Sequence, residues 1–185
     1  PAMMKFTVSK NDLYQSLQKV SRVAPVRSTL PILSCILLTA EKEELRLRST
    51  DLEITMETFC KAEVSEEGSI AIPGRLILEI TSELPDTELS FTIKDENIEI
   101  KIPQGGEYHI SGRPSAEFPG IPMIDDSTTI FIAPEKLQRI VDKTIFSVSH
   151  DEMKAALNGV LFQFKDTILK TVATDGHKLV QLTYD

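Results

Sequence analysis

Shifted by 124 positions, the interval that carries Asp51 onto Asp175, this chain matches itself without a gap over about fifty residues. Phe6, Thr7 and Val8 fall on Ile130, Phe131 and Ile132; Leu13 falls on Leu137, Leu17 on Val141 and Lys19 on Lys143. The run Leu33–Leu38 falls on Leu157–Phe162, Leu45-Arg46 on Leu169-Lys170, and Thr50-Asp51 on Thr174-Asp175. The matches are of character more than identity. A period this long is that of a small domain, so one structural unit is used again.

Within the first period a strand–helix–strand–strand–strand order is legible. Met4–Val8 alternates as a strand, and Ser9 or Asn11 can cap a helix whose apolar side is Leu13, Leu17 and Val20. Leu30-Pro31 restarts extended chain, and Ile32–Thr39, Leu45–Ser49 and Leu52–Lys61 follow as strands. The order then recurs. Ser69–Ile72 is a strand, Pro73 opens a helix over Gly74–Glu83 with Leu76, Ile77 and Ile80 inward, and Leu84-Pro85 stops it. Glu88–Lys94, Asn97–Ile102 and Glu107–Gly112 complete the set, turning at Asp95-Glu96 and Gly105-Gly106.

Residues 113–127, rich in proline and without period, read as a linker between a first domain at 4–112 and a second at 128–185. The second copy is expected as a strand at Thr129–Ile132 and a helix at Pro134–Ile145 with Leu137, Ile140 and Val141 inward. Strands at Gly159–Phe164 and Ile168–Ala173, and a start near Lys178, follow. Only the first half of a unit is present there, so a longer protein is expected. Pro1-Ala2-Met3, ahead of Met4, reads as an expression remnant.

Composition excludes little. The chain is 41% hydrophobic and 26% charged, with apolar runs far shorter than a membrane span. Cys35 and Cys60 lie in strand-like apolar runs, the pattern of buried, reduced thiols in a cytoplasmic protein. His109, His150 and His177 lack metal-ligand spacing, so neither a metal nor any other cofactor is expected. A net charge of −8 argues against nucleic acid, but the distribution matters more than the total. Acidic residues dominate 41–67, whereas Ser9–Arg27 carries Lys10, Lys19, Arg22 and Arg27 against Asp12 alone.

Several segments taken together resemble the bacterial DNA polymerase sliding clamp, the β-subunit family of the replicative polymerase. They are Met4–Val8, Thr29–Leu33, Ser49–Glu53, Phe118-Pro119, Leu157–Gly159 and Thr171–His177. The resemblance implies an α+β DNA-clamp fold of repeated β-α-β-β-β units, with helices on one face of antiparallel sheets. It implies a non-catalytic processivity factor: a homodimeric ring that encircles duplex DNA without sequence specificity, of which this chain is an arc. Its partners would be DNA, the replicative polymerase and the clamp loader, the proteins docking through short peptide motifs.

The resemblance also assigns sites. Arg27, Arg75 and the loop bearing His150, Asp151, Lys154, Ala155 and Ala156 match the family's DNA contacts, the last loop departing from the usual residues at Asp151, Ala155 and Ala156. Lys10, Lys19, Arg22, Lys136, Arg139 and Lys143 are the other basic residues of helices that would line the hole. Leu157, Thr174, Gly176, His177, Lys178 and Leu179 would form one wall of the peptide pocket, and Tyr108 and Ile110 the dimer edge. Two rivals stand beside this reading. One is a hydrolase using Asp175 and His177, the other a β-rich adaptor that binds no DNA.

Overall fold

The computed structural model describes residues 3–185, which form two units divided between Met123 and Ile124. Neither unit carries a helix long and apolar enough to cross a membrane, among the described residues. The first unit opens with β1 (Met3–Ser9) and α1 (Lys10–Ser21), then β2 (Cys35–Glu41), β3 (Glu44–Thr50) and β4 (Thr55–Lys61). After the short β5 (Glu63–Glu66) the order repeats as β6 (Gly68–Pro73), α2 (Gly74–Glu83), β7 (Glu88–Lys94), β8 (Asn97–Lys101), β9 (Glu107–Ser111) and the two-residue β10 (Arg113–Pro114).

Each half lends its first strand to the other half's sheet. One sheet runs β5-β1-β7-β8-β9 and the other β10-β6-β2-β3-β4, with antiparallel neighbours throughout. Inward residues of both sheets and both helices merge into a single core. At its centre Phe6 of β1 stacks on Phe91 of β7, ring centroids 4.7 Å apart, across the strand pair that joins the two halves. Leu13, Leu17 and Val20 are fully buried, as the helical spacing predicts. At about 1.5–3 kcal/mol each, their burial far outweighs the tenths contributed by intrinsic helix propensity. Ser9 caps the helix, its hydroxyl accepting from the Asp12 N–H (3.5 Å), and buried Ser49 donates to the Val20 carbonyl at the other end.

Several expectations shift. Residues 31–34 form a 3-10 turn, so the strand expected from Ile32 begins at Cys35. The strand expected from Leu52 begins at Thr55, because Asp51–Ile54 is a tight turn. The proline-rich stretch after Gly112 is not all linker: Arg113 and Pro114 pair with Ala71 and Ile70, and Phe118 is buried against Cys35 and Ala71. Gly112 permits this fold-back, since a Cβ there would lie 2.8 Å from the Ala71 carbonyl oxygen. Of the presumed remnant, Met3 is strand, paired with Lys94, and the rest lies outside the described residues.

The second unit contains α3 (Pro134–Thr144), β11 (Leu161–Lys165), β12 (Ile168–Thr174) and β13 (Leu179–Tyr184), the strands forming one sheet in that order. Shifted back by 124 positions, α3 begins where α1 begins, and β12 and β13 begin where β3 and β4 begin. The exception is the strand expected at Thr129–Ile132, which does not form. In the first unit its counterpart β1 is held by β5 and β7, and no counterpart of either exists within 124–185. Backbone N–H and C=O groups without a ladder partner do not hold extended pairing. For the same reason Leu137 and Val141, expected inward, stay largely exposed, and only Ile140 and Thr144 of α3 are buried.

Candidate functional site

The Thr-Asp pair of each unit closes the same turn, bond for bond. In the first unit the Asp51 carboxylate accepts from the N–H groups of Glu53 (2.9 Å) and Ile54 (2.7 Å). The Thr50 hydroxyl donates to the Ile54 carbonyl and accepts from the Leu52 N–H, both at 3.0 Å. In the second, Asp175 accepts from His177 and Lys178 (2.8 Å each), while Thr174 donates to the Lys178 carbonyl (2.7 Å) and accepts from Gly176 (3.1 Å). The third residue must take positive φ: Gly176 does so at 93° and Leu52 at 80°. Glycine enters that region freely, whereas a leucine there costs about 1–2 kcal/mol.

This turn disposes of a catalytic dyad. The Asp175 carboxylate is spent on backbone N–H groups, with the Lys178 ammonium at 3.8 Å, rather than on the His177 ring. Those N–H groups hold both Asp51 and Asp175 below the ordinary carboxylate range. A depressed folded pKa contributes stability above the ordinary aspartate range and loses it as pH falls through the depressed value. NMR titration of the carboxyl carbons is therefore expected to find both aspartates titrating below the ordinary aspartate range. The amide signals of Ile54 and Lys178 should move in step with them. A second prediction concerns the strained leucine: Leu52→Gly should raise the melting temperature of the first unit by a few degrees, about 1 kcal/mol of released strain. Leu52 is 58% exposed, so little burial is lost.

Around the second turn, Gly176, His177, Lys178 and Leu179 are exposed while Leu157 and Thr174 are half-buried. The Lys178 ammonium lies 5.9 Å from the centroid of the Phe146 ring, and Phe146 and Leu179 are both largely exposed. The result is an apolar rim beside a rigid turn. Asp151 is likewise structural: its carboxylate caps the 3-10 segment after it, accepting from the Met153 N–H (3.0 Å). Ser149 donates to the Leu157 carbonyl (2.9 Å) and closes the loop, which leaves His150, Lys154, Ala155 and Ala156 on its exposed outside.

Lys10, Lys19 and Arg75 lie on the helices of the first unit, and Arg22 follows the last turn of α1. α1 and α2 lie side by side, and Gln18 and Lys19 of α1, with Arg22 just past its end, share a groove of about 600 Å³ with Leu78 of α2. Lys19, Arg22 and Arg27 are exposed, and Lys10 lies half-buried over the Tyr14 ring. Arg75 pairs with Glu79 one turn on (3.2 Å), an exposed contact of about 0.3–0.5 kcal/mol. The far side of the β3–β4 ladder is self-neutralised: Arg46 bonds Glu44 (2.9 Å) and Arg48 bonds Glu57 (2.7 Å). In the second unit Arg139 and Lys143 are exposed on α3, Lys143 at the repeat position of Lys19. Lys136 is half-buried, donating to the Asp185 carbonyl (3.0 Å) beneath the Tyr184 ring.

Tyr108 and Ile110 sit on β9, an open sheet edge, but their side chains pack toward the core. The Gly112 N–H donates to Glu96 across the ladder, and antiparallel alternation then turns the free backbone groups of Glu107, His109 and Ser111 outward. The sequence reading missed those three; period-2 alternation from Ile110 points to them. On the outer face Glu99, Glu107 and His109 come together, yet Lys101 already bonds Glu99 (3.2 Å) and Glu107 (3.6 Å). Burial raises the thiol pKa of Cys35 and of Cys60, so neither is primed as a nucleophile.

A family model described as DNA polymerase III beta subunit, N-terminal domain, matches residues 4–122, and one for the central domain of that subunit matches residues 131–184. The beta sliding clamp of Vibrio cholerae is 34% identical over 178 residues, spanning 95% of this chain and 48% of its own length. That of Pseudomonas aeruginosa is 33% identical over 184 residues, spanning 98% and 50%. Among solved structures, the DNA polymerase III subunit beta of Pseudomonas aeruginosa superposes with a TM-score of 0.92 at 32% identity, covering 98% of this chain and 50% of its own. The DNA polymerase sliding clamp of Bacillus subtilis gives 0.93 at 27%, covering 99% and 50%. The chain thus spans about half the length of the curated relatives it matches.

Proposed function

Because the chain belongs to the DNA polymerase III beta-subunit family, we propose that it serves as an arc of a cytoplasmic sliding clamp. That clamp is a non-catalytic processivity factor that surrounds duplex DNA and tethers the replicative polymerase. The observation that carries this reading is the family match over both units, with exposed cations on and beside the helices of the first. Lys19, Arg22 and Arg27 are exposed on or just after α1, and Arg75 is exposed on α2 with Glu79 beside it, while Arg46 and Arg48 of β3 are bonded to glutamates. Exposed cations attract phosphates through counterion release without reading bases, and loose contact of that kind lets a sleeve slide. On α3, Arg139 and Lys143 extend the role, with His150 and Lys154 in the loop beyond it; Asp151 supports that loop from within.

The apolar rim beside the 174–179 turn serves as one wall of a docking site for short peptide motifs of polymerase and clamp loader. Its rigid backbone turn and the exposed Leu179 suit an extended peptide. The open β9 edge, with outward backbone groups at Glu107, His109 and Ser111, suits strand pairing with a partner subunit in a homodimeric ring.

Fluorescence anisotropy with labelled duplexes of unrelated sequence tests the DNA reading. Affinity is expected to be equal across sequences, to fall linearly with salt on logarithmic axes, and to show a shallower slope in the Arg27→Ala, Arg75→Ala variant. Binding that prefers one sequence, or that ignores salt, refutes it.

A further inference from the structure

We propose that Asn158 is a positioning residue whose side-chain amide braces residues 149–157, so that Lys154 on the DNA side and Leu157 at the peptide rim are held as one body. The inference rests on the clamp reading of this loop. One terminal atom of the Asn158 amide lies 2.9 Å from the Ser149 carbonyl oxygen and 3.1 Å from that of Asp151. Two acceptors at that distance require the atom to be the nitrogen, which donates to both. One neutral side chain at the end of the loop thereby grips its opening.

The Asp151 carbonyl is the link to Lys154. It accepts from the Lys154 N–H (2.9 Å) as well as from Asn158, so the amide holds the same atom that fixes the Lys154 backbone. Lys154 needs such a hold, because its φ of −112° and ψ of 54° break the 3-10 segment at that residue. Ser149 is the link to Leu157. Its N–H donates to the Leu157 carbonyl (2.9 Å) while its own carbonyl accepts from the Asn158 amide, so both backbone groups of Ser149 are tied to the far end of the loop. The Ser149 hydroxyl and the Asp151 carboxylate accept from the N–H groups of Asp151 (3.1 Å) and Met153 (3.0 Å). The short polar side chains are spent on the loop itself, and His150 and Lys154 are left exposed.

The 124-residue repeat sets this brace apart from its counterpart. The same loop in the first unit covers residues 25–34 without insertion or deletion, Asn158 falling on Ser34 and Asp151 on Arg27. The Ser34 hydroxyl donates to the Pro31 carbonyl (2.8 Å), within its own turn, and does not span the loop. Arg27 puts an exposed cation where the second unit has the Asp151 cap. Leu33, the repeat partner of Leu157, is buried, whereas Leu157 is half-buried and its backbone is pinned through Ser149. Asn158 is itself exposed, so truncating it opens no cavity and spares the fold.

Two measurements on the Asn158→Ala chain test this. In amide exchange followed by NMR, the Ser149 and Lys154 N–H groups should exchange about tenfold faster, the effect of two lost hydrogen bonds, while the amides of β12 keep their rates. In anisotropy titrations with a labelled duplex, the slope of log affinity against log salt should flatten by up to about 0.9, the share of one cation. A neutral residue releases no counterions, so a changed slope reports a displaced Lys154 rather than a lost contact of Asn158. Lys154→Ala should flatten the slope in the parent chain and cost less than about twofold in affinity once Asn158→Ala is present. Unchanged exchange at Ser149 and Lys154 overturns the proposal, and so do losses from Asn158→Ala and Lys154→Ala that simply add. If Lys154→Ala leaves the parent chain's affinity and slope unaltered, the DNA reading of the loop fails instead, and the exchange rates alone decide whether Asn158 braces it.

Discussion

Phe91→Ala is expected to lower the stability of the first unit by about 3–5 kcal/mol, among the largest effects of any single core truncation in it. The ring is fully buried and stacks on Phe6 at 4.7 Å, so deletion removes transfer energy, leaves a cavity and breaks an aromatic pair. Its position adds to the effect. Phe91 lies on β7 opposite Phe6 on β1, the contact by which the second half's sheet holds the first half's opening strand. A loss of this size is a large part of the whole stability of a small domain. Chemical denaturation followed by circular dichroism checks it, and a loss under about 1 kcal/mol would mean that the junction carries no special weight. Leu89→Ala, a comparably buried truncation without an aromatic partner, gives the comparison.

Lys19→Glu combined with Arg22→Glu is expected to abolish most DNA association by this chain. The two side chains are exposed three residues apart, Lys19 in the last turn of α1 and Arg22 just past its end. Each cation that contacts phosphate contributes roughly 0.9 to the slope of log affinity against log salt, so losing two flattens it by about two units. The glutamates add repulsion, so affinity at low salt should fall by well over about tenfold. Stability moves far less. Cations near a helix C-terminus contribute about 0.3–1 kcal/mol each, and the melting temperature should drop only by a few degrees. Anisotropy titrations at several salt concentrations, with a melting curve alongside, separate the two effects. Retention of the wild-type slope would exclude α1 from the DNA-facing surface.

Legibility in the sequence varied with the range of the interaction concerned. α2 spans Gly74–Glu83 and β7 spans Glu88–Lys94 as read, because Pro73, Leu84-Pro85 and the flanking turns act locally. The Thr-Asp pairs were visible as a repeat, but their hydrogen bonds were not, since a carboxylate can accept from many donors and only the turn selects two. Asp175 and His177 invited a catalytic reading for that reason. β5, β10 and the burial of Phe118 left no periodic trace; segments of two to four residues are too short to show one. Leu137 and Val141 have core spacing and yet lie exposed, because spacing reports which side is apolar and says nothing of whether anything covers it.

By itself, the sequence determined the repeat of 124 positions, the order of helix and strands in the first unit, and which side of each element is apolar. Periodicity, caps and turn residues act between neighbours in the chain, and these features need nothing more. Only the tertiary structure decided that β1 belongs with β7 and β6 with β2, and that Thr129–Ile132 stays without a ladder. Strand pairing between distant segments depends on which backbone edges and apolar faces are free to meet, and no local pattern encodes that choice.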